Sequence, residues 1–349
     1  MASLAVLLKL RGYQVRGSDE NVYPPMSDFL AQNKITVQSG FAAKNLNPAP
    51  DLVVIGNALS RGNPEVEAVL ERKLPYLSMS ELLKEYFIRG KTSLVVSGTH
   101  GKTTTSSLLA WVFESAEKAP GFMIGGIAEN FKASCCDGDG SYFIIEGDEY
   151  DTAFFDKRSK FFHYLPDQLI LNNLEFDHAD IFDSLADIKK AFRLMLRLIP
   201  RNGLIAANGD DVNVQTVLES AYSPVVKFGF GKTSDVRALN LETSESGTAF
   251  EVEDKRRKES EQVKKFELKL SGAYNVRNAL GVIILARYNG ITDQTIQAAF
   301  NSFQSVRRRQ ELRGEVNGIA IYDDFAHHPT AVRETVTAIR QKHPGRRLI

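Results

Sequence analysis

The residue types best suited to chemistry lie together in Ser97-Gly98-Thr99-His100-Gly101-Lys102-Thr103-Thr104. Glycines at 98 and 101 let backbone N–H groups close around phosphate oxygens, Lys102 supplies a point charge, and the Thr103 hydroxyl can reach Mg²⁺. The apolar run Leu94-Val95-Val96 before the loop predicts a buried strand, and Ser107 to Phe113 after it predicts a helix whose N-terminus adds partial positive charge. Strand, glycine turn and helix in that order make an anion site, and the ligand expected there is ATP or GTP. The spacing departs from G-x-x-x-x-G-K-[ST], because Val96 stands where that pattern has its first glycine. A bare glycine turn with a chance lysine is the alternative, and the flanking strand and helix argue against it.

Two more segments carry candidate ligands. Glu146-Gly147-Asp148-Glu149-Tyr150-Asp151 sets four carboxylates in six positions after the predicted strand Tyr142–Ile145. Such crowding is costly without a cation nearby, so a Mg²⁺ site is expected, with a solvated acidic loop as the alternative for any one residue. The predicted strand Gln168–Leu171 runs into Asn172-Asn173-Leu174-Glu175-Phe176-Asp177-His178. A lone histidine is more often packed or hydrogen-bonded than ligating. In a parallel sheet, however, strand ends converge, and Glu146 and His178 are expected to meet the loop at one magnesium site.

The elements that position these groups alternate as α/β. Residues 1–88 predict a helix over Ala2–Leu10, strands at Tyr13–Arg16 and Leu52–Ile55, and a helix opened by Asn63-Pro64. Residues 89–304 hold the phosphate loop, the two strands above, a helix over Ala186–Leu198, antiparallel strands around Phe250–Glu253 and Phe266–Leu270, and a helix over Leu280–Tyr288. The charge run Asp254 to Glu259 reads as a solvated loop. Residues 305–349 hold Arg307-Arg308-Arg309, a strand at Ile319–Tyr322, a helix over Ala331–Arg340, and Leu348-Ile349 as the start of a strand.

Composition narrows the classes. The chain has 349 residues with 43 basic against 43 acidic, a balance that gives no electrostatic pull toward nucleic acid or membrane. The adjacent Cys135 and Cys136 are poorly placed for a relaxed disulfide and suit a reducing cytosol. The apolar start Ala2–Leu8 lacks the basic flank and cleavage site of a secretory signal, and no apolar run approaches the ~20 residues of a membrane span. A cytoplasmic protein, a monomer or weak dimer, is expected.

The shortened loop Gly98-Thr99-His100-Gly101-Lys102-Thr103-Thr104 resembles that of the Mur ligases, ATP-dependent amide-bond formers of bacterial cell-wall synthesis. The resemblance extends to Asn173-Leu174-Glu175-Phe176-Asp177-His178, to Gly272-Ala273-Tyr274-Asn275-Val276-Arg277-Asn278-Ala279, to Arg308-Arg309, and to Asp323-Asp324-Phe325-Ala326-His327-His328-Pro329. It implies ATP and Mg²⁺ as cofactors, with the metal on Thr103, Glu146 and His178. It further implies Asn275 near adenine, Asp324 toward the nucleotide, Arg308 or Arg309 toward the γ-phosphate, and His327 or His328 near the incoming amine. Gly17–Ser27 and Val54–Pro64 are similar to the family's UDP-sugar domain, which implies Ser18, Asp19, Asn57 and Ser60 as substrate residues. Asp151–Phe161 resembles the branch that joins UDP-N-acetylmuramate to the recycled tripeptide L-alanyl-γ-D-glutamyl-meso-diaminopimelate. Arg158 and its neighbours Lys157 and Lys160 suit a substrate with several carboxylates.

The fold implied is α/β with three domains: a Rossmann-like N-terminal domain, a central P-loop ATPase domain with a parallel sheet, and a C-terminal α/β domain. The chain opens inside a helix where such a domain has its first strand, and its last unit is short, so truncation at both ends is expected. The activity implied is amide ligation through an acyl phosphate, in peptidoglycan recycling. Its alternatives are the alanine-adding ligase of the same family, a non-catalytic nucleotide-binding fragment, and a P-loop kinase or ATPase acting on another acid.

Overall fold

The computed structural model describes residues 1–24 and 26–349; Pro25, within the Gly17–Ser27 segment, lies outside the described residues. The first unit runs α1 (Ala2–Leu10), β1 (Arg16–Asp19), α2 (Met26–Gln32), β2 (Thr36–Ser39), β3 (Val53–Ile55), α3 (Pro64–Glu71), β4 (Tyr76–Ser78) and α4 (Met79–Leu83). β1 pairs with β2 and β3 with β4, both parallel, as two separate two-stranded sheets. The strand expected at Tyr13–Arg16 lies further on. Gly12, at φ +89°, takes the turn out of α1, Tyr13 stays exposed, and pairing begins only at Arg16 opposite Thr36. The α3 start is as expected: Asn63 Oδ1 accepts from the N–H groups of Glu65 and Val66, and Pro64 fills the first turn.

The second unit contains β5 (Thr92–Ser97), α5 (Lys102–Ser115), β6 (Gly121–Ala128), β7 (Ala133–Cys136), β8 (Tyr142–Gly147), β9 (Asp151–Ala153), β10 (Asp156–Ser159), β11 (Gln168–Leu171), α6 (Leu185–Leu196), β12 (Leu204–Asn208), α7 (Val212–Leu218), β13 (Val225–Gly229), β14 (Val236–Ser244), β15 (Gly247–Asp254), β16 (Val263–Leu268), α8 (Ala273–Tyr288) and α9 (Asp293–Ser302). Ten of its strands form one sheet in the order 16-15-14-13-12-11-5-8-6-7. β5 lies between β8 and β11, parallel to both, with Ser97 opposite Gly147 on one side and Leu171 on the other. Strands this central bury both faces, which explains their unbroken apolar runs. Leu94, Val96, Ile144 and Ile170 face α5, α8 and α9. Val95, Ile145 and Leu171 face the opposite layer, which Leu4, Leu7, Leu83 and Phe87 of the first unit join.

Beyond β14 the sheet turns antiparallel, as the alternation predicted. The charge run after β15 corrects one expectation. Asp254 is 1% exposed and receives Arg256 at 2.7 Å and Arg287 at 3.1 Å, so its carboxylate is an internal anchor. The third unit is a hairpin of β17 (Glu311–Val316) and β18 (Ile319–Asp323) followed by α10 (Pro329–Lys342). Leu348-Ile349 does not form the expected strand. Both cysteines are free, and among the described residues no helix is long and apolar enough to cross a membrane.

Candidate active site

The phosphate loop is shaped by backbone that only glycine accommodates. Gly98 has φ +131°, and a Cβ there would meet the Asn173 carbonyl oxygen at 2.9 Å; Gly101 has φ +83°, and a Cβ would meet Asn278 Oδ1 at 2.8 Å. The loop is held from below by β11's continuation. The Thr99 N–H donates to the Asn173 carbonyl at 3.0 Å and the His100 N–H to Asn173 Oδ1 at 2.7 Å. Asn172 Nδ2 donates to Thr105 Oγ1 and to Asn278 Oδ1 of α8. These three asparagines were not expected as site residues, although a paired asparagine at a strand end and Asn275/Asn278 one turn apart on α8 are visible signals.

Lys102 and Thr103 open α5 and meet the acidic segment that follows β8. Lys102 Nζ donates to both oxygens of Glu149, at 2.9 and 2.7 Å. Burial works most strongly against the ammonium, but the bond to Glu149 and the charges of Glu149, Asp148 and Glu146 together outweigh it and the Lys102 pKa is raised. His178 Nε2 lies 3.5 Å from Glu149 Oε1; burial opposes its charged form most strongly, Glu149 and Asp177 together prevail, and its pKa is raised too. Thr103 Oγ1 donates to Glu146 Oε2 at 3.2 Å, while Gly125 N–H donates to Glu146 Oε1 at 2.6 Å. Burial pushes the Glu146 carboxyl up despite the Gly125 bond. Thr103 therefore meets Glu146, as expected, whereas His178 joins the group through Glu149 and not through Glu146. A carboxylate disfavoured by burial beside a hydroxyl is a hard oxygen pair of the kind that Mg²⁺ selects, so the residues present fit that ion.

The third unit closes over the loop. Arg309 Nη2 donates to Thr103 Oγ1 at 3.4 Å, and Arg309 lines a cleft with the loop, Tyr274, Asn275, Asp324 and His327. Arg308 points elsewhere, 3.5 Å from Asp323, with 58% of its side chain exposed. Asn275 is buried in that cleft and donates to the Ser271 carbonyl. Asp324 accepts from the Gln310 and Ala326 N–H groups, each at 2.8 Å, so it shapes the cleft wall. Thr104 is buried in the first turn of α5. His327 is exposed at the mouth, its Nδ1 3.1 Å from the Phe325 carbonyl.

The expected substrate residues sit apart from this group. Ser18 donates to Glu65, Asp19 accepts from the Asn21 N–H, and Asn57 and Ser60 are exposed on the loop after β3. Asp151 pairs with Lys157, Arg158 pairs with Asp156 at 2.7 Å, and Lys160 pairs with Asp148. The three cations are thus each tied to a carboxylate. Their segment also touches the first unit, where Phe155 packs edge-on to Tyr76.

Family models match the chain along most of its length: the Mur ligase family catalytic domain over residues 1–90, the Mur ligase middle domain over 96–286, and the Mur ligase glutamate ligase domain over 308–349. The UDP-N-acetylmuramate–L-alanyl-gamma-D-glutamyl-meso-2,6-diaminoheptandioate ligase of Escherichia coli K12 is 46% identical over 99% of this chain and 74% of its own length. The UDP-N-acetylmuramate–L-alanine ligase of Clostridium acetobutylicum is 34% identical over 97% of this chain and 71% of its own. A crystal structure of a murein peptide ligase from Psychrobacter arcticus 273-4 is 39% identical, superposes with a TM-score of 0.84, and is matched over 99% of this chain and 75% of that one. With the loop, the acidic strand end and the overlying arginine arranged as described, these likenesses show that the chain belongs to the Mur ligase family of ATP-dependent ligases.

Proposed function

We propose that the protein joins UDP-N-acetylmuramate to L-alanyl-γ-D-glutamyl-meso-diaminopimelate with hydrolysis of ATP to ADP and phosphate. The observation that carries this reading is the meeting of Lys102, Thr103, Glu146 and Arg309 at one strand end under the third unit. The loop amides and Lys102 hold the triphosphate, and Arg309 faces the γ-phosphoryl group. Thr103, Glu146 and His178 would hold Mg²⁺, which when bound neutralises phosphate charge. The sugar's lactyl carboxylate attacks the γ-phosphorus, the bond to the β-bridging oxygen breaks, and ADP leaves. The peptide amine then attacks the acyl carbon and phosphate departs. Two anions can approach only where Lys102 and Arg309 offset their repulsion.

The tripeptide reading is supported by the Asp151–Phe161 segment and by greater identity to the tripeptide-adding relative, 46% against 34%. Phosphate release measured with ATP, UDP-N-acetylmuramate and either tripeptide or L-alanine tests it. Turnover that favours the tripeptide by at least about 100-fold, equivalent to some 3 kcal/mol, is expected; preference for alanine would sink the branch assignment, and release without the sugar acid would sink the ligase reading.

A further inference from the structure

His178 is held differently from its two companions in the magnesium group. Thr103 lies in the first turn of α5 and Glu146 near the end of β8, so regular backbone aims both side chains. His178 lies in the irregular stretch after β11 at φ +58°, a left-handed conformation that a non-glycine residue keeps only where its surroundings impose it. Asp177 Oδ1 accepts the His178 N–H at 2.8 Å, and the His178 carbonyl accepts from the N–H groups of Ile181 and Phe182, each at 3.0 Å. These bonds fix the backbone and leave the two side-chain torsions open. What fixes the ring is its neighbours. Glu149 Oε1 lies 3.5 Å from Nε2, but that carboxylate is shared with Lys102. The Tyr150 ring packs edge-on to the imidazole, with 4.4 Å between centroids and 60° between planes.

Tyr150 is itself braced. Its N–H donates to Asp148 Oδ1 at 3.3 Å and its carbonyl accepts the Lys160 N–H at 2.9 Å. Lys160 Nζ lies 5.5 Å from the centroid of the Tyr150 ring while donating to Asp148 Oδ2 at 2.7 Å, and its side chain is only 12% exposed. We infer that Tyr150 is a positioning residue for the magnesium group: its ring sets the orientation of the His178 imidazole, and Asp148 and Lys160 hold that ring in place. This rests on the reading that Thr103, Glu146 and His178 hold Mg²⁺. An edge-to-face pair removes orientations that a lone imidazole samples, and partners behind a metal ligand govern metal affinity by about 10- to 100-fold. Lys160 thereby acts within the Asp151–Phe161 segment without touching substrate, because its ammonium is engaged by Asp148 and the Tyr150 ring.

Mn²⁺ serves as the probe, with the full chain saturated with ADP and the free-ion EPR signal read against a control of ADP alone. Tyr150→Leu keeps apolar bulk but removes the ring, and should weaken Mn²⁺ by about tenfold. Tyr150→Phe keeps the ring and should stay within about twofold of the wild type, as should the metal-free ADP affinity of both variants. In the protein without metal or nucleotide, the His178 ring proton identified by its loss in His178→Asn should show an NMR cross-relaxation contact with the Tyr150 ring. That measurement needs no Tyr150 variant, so it stands even if Tyr150→Leu fails to fold. Wild-type Mn²⁺ affinity in Tyr150→Leu, equal loss in Tyr150→Phe, a matching fall in metal-free ADP affinity, or absence of the ring contact would overturn the positioning role. Unchanged Mn²⁺ affinity in His178→Asn would overturn the magnesium ligand set itself, and the positioning role with it, so the two failures are distinguishable.

Discussion

The ammonium of Lys102 is bound to both carboxylate oxygens of Glu149, a residue only 2% exposed, so the cation of the phosphate loop is already engaged by protein charge. A triphosphate arriving at the loop competes with that carboxylate for the same ammonium. Glu149→Gln should therefore bind ADP without metal about tenfold more tightly, a gain of some 1.4 kcal/mol. The same change leaves a buried lysine unpaired and should lower stability by about 3 kcal/mol. Calorimetric titration and chemical denaturation read the two effects, and weaker ADP binding would refute the competition.

Arg308 and Arg309 are neighbours with opposite surroundings. Arg309 reaches Thr103, and Arg308 is solvated beside Asp323. Arg309→Ala should reduce turnover by about 100-fold with little change in unfolding midpoint, whereas Arg308→Ala should stay within about threefold, since exposed pairs contribute about 0–1 kcal/mol. Steady-state kinetics of the two variants decide between them; equal losses would contradict the assignment.

Gly101→Ala tests the shape of the loop. Its φ of +83° is strained for an L side chain, and the Cβ would sit 2.8 Å from Asn278 Oδ1. A loss of about 1–3 kcal/mol in stability and no measurable ATP binding are expected. Retained affinity would mean that α8 yields and that the loop is not rigidly cradled.

Asp254 supplies the acid-side prediction. Burial opposes its charge, but Arg256 and Arg287 prevail, and its pKa is held below the ordinary 3.8. A depressed folded-state pKa stabilises the fold above about pH 4 and loses that contribution as pH falls through the folded value. Asp254→Asn should lower stability at pH 7 by about 3 kcal/mol and flatten the fall in stability below about pH 4. Denaturation curves from about pH 3 to 7 measure both; a parallel shift at every pH would refute it.

Much of this site was legible from residue order alone, and the reason is local. A short apolar run that ends in a glycine turn needs no distant context: Leu94-Val95-Val96 followed by Gly98 and Lys102 dictates a buried strand, a turn with positive φ and a helix N-terminus wherever it occurs. Glu146 could be placed near the loop because strand ends in a parallel sheet share one edge, and Val96 and Glu146 do lie opposite each other in the β5–β8 register. The displaced first strand and the buried Asp254 were not legible, because each depends on a partner elsewhere: Thr36 and Arg287.

The sequence by itself determined the anion loop, the α/β alternation and the family, since these rest on short-range spacing and backbone preference. Only the tertiary structure decided that Glu149 and not Glu146 holds Lys102, that Arg309 and not Arg308 reaches the loop, and that His100, Glu175 and His328 meet. Carboxylates two or three residues apart, or adjacent arginines, are chemically alike along the chain. What separates them is the direction in which the backbone presents each side chain, and that is fixed by packing between segments distant in sequence.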